Sequence, residues 1–261
     1  MTRTAPWIAL LVLLAAPVRA GAQEFASAAP ASERSAAALL ERGLAPPRPG
    51  VSFTALAIRW YGVPDLDTRS ATVAVGWRTL RLGMGASRSG DAELGWSAVA
   101  LAAGFADPRG GAALRVCGRL RRDVEDERPL TGVEAGAGLW IAPSAGFRVW
   151  VSAPQVWIDG DPPPLERRLE LGVAARAGDA ELWLTRVAAP EAASASSADH
   201  VAGACMPLDI VEAWLEVRDH PARGGFGLAA TKRGLRLAAS VESHPVLGET
   251  VRLMLGREPS R

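Results

Sequence analysis

The chain has 261 residues, 29 basic and 28 acidic side chains, a formal net charge of +1, and 49% hydrophobic residues. That near balance offers no basic surplus, so no nucleic-acid partner is expected. Two cysteines far apart in sequence, Cys117 and Cys205, do not define a disulfide framework, and unpaired thiols are the preferred reading.

Residues 1–22 read as a secretory signal. Arg3 supplies the positive start, and Trp7 to Ala16 is a continuous apolar run followed by Pro17. Two small-x-small sites follow, Val18-Arg19-Ala20 and Ala20-Gly21-Ala22. The run is about half the roughly 20 residues that a spanning helix needs. Cleavage after Ala22 is therefore expected, with a signal anchor as the rival. Cleavage removes Arg3 and Arg19 and no acid, leaving 27 basic against 28 acidic side chains. No cysteine follows the cleavage region, so a lipoprotein anchor is not expected.

Residues 23–50 are rich in Ala, Ser, Pro and Arg. Ala36 to Leu44 suits a short helix, which Pro46-Pro47 would end. This stretch reads as a periplasmic lead-in, with a linker preferred over a lumen plug.

From Val51 the hydrophobic pattern changes to period two, the period of a strand with two different faces. The clearest segments are Thr72–Trp77, Leu80–Ser87, Ala112–Arg121, Arg168–Arg176, Leu235–Glu242 and Val251–Arg257. In Ala112–Arg121, for example, Leu114, Val116, Gly118 and Leu120 oppose Arg115, Cys117, Arg119 and Arg121. Weaker segments are Ser52–Tyr61, Leu94–Phe105, Val133–Ile141, Phe147–Trp157, Ala180–Val187, Ile210–Arg218 and Gly225–Ala230. Ile210–Arg218 is ambiguous, because Ile210, Val211, Trp214 and Val217 also suit one face of a helix. Thirteen candidates conflict with the even strand number of bacterial single-chain barrels. Moving Ile210–Arg218 to a helix in an outer loop gives twelve.

Link lengths carry a second signal. The links at 62–71, 122–131, 158–167 and 188–203 are long, whereas Arg78-Thr79, 142–146 and 177–179 are short. Long outer loops and short periplasmic turns alternate in this way in outer-membrane barrels. The expected fold is all-β: an antiparallel up-and-down transmembrane β-barrel of about 12 strands over residues 51–261, in the bacterial outer membrane. Membrane lipid is its expected partner, with other envelope proteins as further candidates. The light apolar face and the tryptophans at strand ends, Trp60, Trp77 and Trp157, point the same way. A soluble periplasmic β-sandwich that binds a ligand or partner also alternates, and is the alternative.

In a barrel the charged face lines the interior. The candidate lining is Arg81, Arg115, Arg119, Arg121, Arg148, Glu170, Arg176, Glu212, Glu216, Arg236, Glu242 and Arg252. Both signs are present, so these residues can form a lumen-filling ion network, preferred here over a narrow wet pore.

No catalytic or metal site is expected, and no cofactor. His200, His220 and His244 have no partner at metal-ligand spacing. Asp199-His200, Asp219-His220 and Ser243-His244 are adjacent pairs, whereas a hydrolase triad needs three groups that converge in space. Asp159-Gly160-Asp161 lacks the later acidic positions of a calcium loop. A non-enzymatic channel, transport component or assembly scaffold is expected.

The serial hairpins ATVAVGWRTLRLGMGASRSGDAELGW and the run GGFGLAATKRGLRLAASVESHPVLGETVRLMLG resemble those of bacterial outer-membrane β-barrels. Within that class the small-residue hairpins are loosely similar to barrels of the long-chain fatty-acid transporter type and their secretion-associated relatives. The resemblance covers roughly 51–256 and implies the fold. It carries over no functional residue. The end, Leu255-Gly256-Arg257-Glu258-Pro259, departs from the terminal aromatic common in the class.

Overall fold

A computed structural model describes residues 35–46, 48–63, 67–90, 95–122, 128–160, 167–188, 198–219 and 222–257. The expected signal peptide, His220 and Asp161 lie outside them. Fourteen antiparallel strands form one closed barrel: β1 (Gly50–Arg59), β2 (Thr68–Trp77), β3 (Leu80–Gly90), β4 (Gly95–Asp107), β5 (Gly110–Arg122), β6 (Leu130–Ser144), β7 (Phe147–Gly160), β8 (Leu169–Ala177), β9 (Ala180–Ala188), β10 (Asp199–Leu208), β11 (Val211–Asp219), β12 (Ala222–Lys232), β13 (Leu235–His244) and β14 (Gly248–Arg257). Each strand pairs with its neighbours in sequence, and β1 closes on β14 in the register Ala55↔Leu255.

The expected count of about twelve is corrected on two strands. Strand β10 begins inside the stretch 188–203, which the sequence presents as one long link. Its inward face is Val201, Gly203 and Cys205 and its outward face Ala202, Ala204 and Met206, so there is little polarity contrast to read. Strand β11 is the segment whose apolar residues also suit a helix. In fact Trp214 points inward with Glu212, Glu216 and Arg218, while Leu215 and Val217 point out. With both strands in place the links at one end are all two residues: Arg78-Thr79, Pro108-Arg109, Ala145-Gly146, Gly178-Asp179, Asp209-Ile210 and Arg233-Gly234. Local chemistry tightens these turns. The Asp107 carboxylate accepts from the backbone N–H of Arg109 at 2.7 Å and Gly110 at 3.0 Å. Arg233 and Gly234 both adopt positive φ, 53° and 80°, matching the twist of a two-residue hairpin. This short-turn end is the periplasmic one.

The outer face is apolar and uncovered. Phe105, Leu114 and Leu215 are 65%, 68% and 64% exposed, and Val99, Leu101, Leu237 and Leu253 join them. A sandwich would bury such residues against a second sheet, so the periplasmic-sandwich alternative is overturned. Trp77 and Trp157 are exposed on this face. Trp60, expected there, instead packs against buried core, donates to Thr68 Oγ1 at 2.8 Å and lies 5.8 Å from the Arg252 guanidinium.

Helix α1 (Ala36–Arg42) lies inside the wall against β1–β7. Ala36, Leu39 and Leu40 are fully buried, so this part of residues 23–50 is packed in the lumen and is not a free linker.

Candidate functional site: a plugged lumen

The sequence of α1 defines a short, well-capped element. Ser35 accepts from the Ala38 N–H at 3.3 Å, and Gly43 ends the helix in the left-handed region at φ 68°. Its apolar residues Leu39 and Leu40 meet the wall where it lacks side chains: a Cβ at Gly83 would lie 2.8 Å from Leu39 and one at Gly85 2.7 Å from Leu40. At Gly138 the approach is backbone to backbone. A Cβ there would sit 2.4 Å from the Arg42 carbonyl oxygen and 2.7 Å from that of Gly43.

A helix C-terminus leaves carbonyls without helical partners. Here the barrel supplies the donors. Arg115 Nε donates to Leu40 O at 2.6 Å, and Ser152 Oγ donates to Arg42 O at 2.6 Å. Beyond the helix, Trp140 Nε1 donates to Ala45 O and Arg81 Nε to Pro46 O, both at 2.8 Å. Arg115 also places its charge at the negative end of the helix. Arg42 itself reaches Glu170 at 3.1 Å, and Glu170 accepts from Trp150 Nε1 at 2.7 Å. The plug is thus tied to five inward side chains on β3, β5, β6, β7 and β8.

Ion pairs fill much of the remaining interior. Glu134 bridges Arg115 at 2.6 Å and Arg119 at 3.0 Å. Towards the outer end Asp199, Glu216 and Glu242 interleave with Arg218, Arg223 and Arg252. Distances there include 2.6 Å for Arg252–Glu242, 2.9 Å for Arg218–Glu216 and 3.0 Å for Arg223–Glu242. Towards the periplasmic end Arg236 meets Glu212 at 2.9 Å, and Arg148 meets Glu181.

On β7, β9 and β11 the interior is aromatic. Trp150, Trp183 and Trp214 are buried, and each lies over the glycine paired with it on the next strand: Gly172, Gly203 and Gly227. A Cβ on any of these glycines would stand 2.1–2.2 Å from the indole. Gly203→Ala should therefore tilt Trp183 off the wall and cost about 1–3 kcal/mol by overpacking. A fall in the urea midpoint of the detergent-folded protein, with no fall for the open position Gly118→Ala, is the expected result.

Of the lining expected from sequence, Arg81, Arg115, Arg119, Glu170, Arg236, Glu242 and Arg252 are buried inside. Glu212, Glu216, Arg121 and Arg148 are half-buried, and Arg176 stands exposed at the periplasmic rim. Sequence reasoning misses Glu134, Asp199, Arg218, Arg223 and the inward tryptophans. Glu134 is readable, because it alternates with Val133 and Ala135; Asp199 belongs to the strand that carries no pattern. Cys117 and Cys205 are buried thiols that form no disulfide.

No protein-family model matches the chain, and no curated protein does. Solved barrels do. The Ralstonia pickettii toluene transporter TbuX superposes with a TM-score of 0.59 at 9% identity, over 92% of this chain and 99% of that one. The chain folds as a closed β-barrel of the outer-membrane type. At that identity the likeness is one of fold. The KdgM porin matches this barrel at 6% identity over 80% of it and 99% of the porin, with a TM-score of 0.46. A mutant of Rh. blastica porin matches at 9% identity over 80% and 98%, with a TM-score of 0.43.

Proposed function

We propose that this outer-membrane barrel is a gated transport component, plugged at rest and non-enzymatic, whose cargo is a small apolar or aromatic solute. The observation that carries the reading is the plug: a wall of fourteen strands is filled on one side by α1 and on the other by indoles and ion pairs. Such an interior suits neither an open aqueous pore nor free diffusion of polar solutes. Trp183 and Trp214, on β9 and β11, give the half not occupied by α1 an aromatic lining, the surface on which a planar apolar cargo packs. TbuX, which shares the fold, is a transporter of toluene. An assembly scaffold is the second reading, favoured by the density of ion pairs.

Two measurements test the proposal. Purified protein in a planar bilayer should show little steady conductance. Cells making it should take up radiolabelled toluene faster than cells without it. Large open-channel conductance would remove the plugged reading, and toluene uptake independent of the protein would leave the scaffold.

A further inference from the structure

The inward tryptophans differ in what their indole N–H groups meet. Trp140 donates to Ala45 O at 2.8 Å and Trp150 to Glu170 at 2.7 Å. Trp183 is 4% exposed, and its Nε1 has no hydrogen-bond partner among the described residues. The strand register gives the reason. Trp150 lies over Gly172, and the residue two positions before that glycine, on the same face of β8, is Glu170, its acceptor. Trp183 lies over Gly203, and the equivalent residue on β10 is Val201, whose side chain can accept nothing.

Thr185 stands directly across from Val201, on the same inward face. It is 2% exposed, and its hydroxyl also has no partner among the described residues. Trp183 and Thr185 are two residues apart on one face of β9, roughly 7 Å along the strand. An N–H that only donates and a hydroxyl that donates or accepts therefore flank one spot on the wall. Buried polar groups are nearly always hydrogen-bonded, so two neighbouring groups without partners point to a ligand that completes them. Apolar surface lies beside this spot. Trp214 is buried across from Cys205, which is two residues from Gly203 on the inward face of β10.

We propose that the cargo is a neutral arene carrying one hydroxyl, of the phenol or cresol class. Its ring packs on the indoles of Trp183 and Trp214. Its hydroxyl oxygen accepts from the Trp183 N–H, and its hydroxyl proton is donated to Thr185 Oγ1. One such group satisfies both wall atoms, and a plain hydrocarbon satisfies neither. A carboxylate suits the spot less well. It has no proton to donate, and neither wall atom carries the charge that would offset its desolvation. The inference rests on the aromatic-cargo reading proposed above and narrows it.

The test is calorimetric titration of the full-length, detergent-folded protein with p-cresol and with toluene at neutral pH, each referenced to protein-free micelles. The two probes differ by one hydroxyl, and a phenol of ordinary pKa near 10 is neutral there. The parent should bind p-cresol about tenfold more tightly than toluene, the worth of one or two neutral hydrogen bonds. The methyl ether of p-cresol, which accepts but cannot donate, should fall between. Trp183→Phe keeps a ring without its N–H, and Thr185→Val keeps the shape without its hydroxyl. Each should shrink the preference for p-cresol, and the two together should abolish it. Heat-modifiable migration establishes that each variant is folded, and Thr185→Val alone serves if the indole variant is not. Equal affinity of the parent for p-cresol and toluene, or a preference that survives in the folded variants, would overturn this inference and leave the aromatic-cargo reading standing. Binding of neither probe would overturn both.

Discussion

Gly138→Ala should dislodge the plug. The added methyl would point at the Arg42 and Gly43 carbonyls from 2.4 and 2.7 Å, and both are backbone atoms that cannot swing aside. Overpacking of this kind costs about 1–3 kcal/mol. Since the strand is held on both sides, through Ala113 on β5 and Ser152 on β7, the plug is the part that yields. A shift of that size changes the ratio of seated to released plug by roughly 5–150-fold. The expected readouts are a rise in planar-bilayer conductance and faster proteolysis within residues 35–46, with the barrel itself still heat-modifiable. Gly118→Ala on β5 faces open space and should change neither. If Gly138→Ala conducts no more than the parent, the plug does not close the barrel.

Much of this interior is legible in sequence, and the gaps have physical causes. Where arginines alternate with leucine or valine, as in β5 and β13, the faces can be read directly, and Arg115, Arg119 and Arg236 fall inside. Where an inward face is glycine and the outward face alanine, as over 135–138 in β6, polarity does not alternate and the segment looks weak. The inward tryptophans are hidden for a related reason. Trp183 and Trp214 look like lipid-facing residues by hydrophobicity, and only the cross-strand glycine, about 20 residues away for Trp183, gives each ring its place. Sequence parity shows neither that pairing nor the strand β10 it requires. The plug is legible as a helix but not as a buried one, because AAALLER has little amphipathic contrast. Its burial is set by donors from four strands distant in sequence, β3, β5, β6 and β7, and by the Glu170 carboxylate on β8.

Glu134 is the residue where wall and plug are coupled. It is 2% exposed and is an acidic partner of both Arg115 and Arg119, themselves nearly buried. Glu134→Gln keeps the shape and removes the charge, leaving the buried Arg115 guanidinium without its carboxylate in a poorly solvated interior. Breaking a buried ion pair from one side costs about 3–5 kcal/mol, whereas an exposed pair such as Arg59–Asp67 is screened by solvent and contributes little. The urea midpoint of the folded protein in detergent should therefore fall sharply for Glu134→Gln and hardly at all for Asp67→Asn. The desolvation argument makes a second demand. Replacing all three members, Arg115→Met, Arg119→Met and Glu134→Leu, removes every stranded charge and should restore most of the stability. It also removes the Arg115 donor from the Leu40 carbonyl, so the triple variant should be stable and yet leak current. A Glu134→Gln protein as stable as the parent would mean that Arg115 and Arg119 are neutralised elsewhere. A triple variant that is stable and electrically tight would place the hold on the plug with Arg81, Trp140 and Ser152 alone.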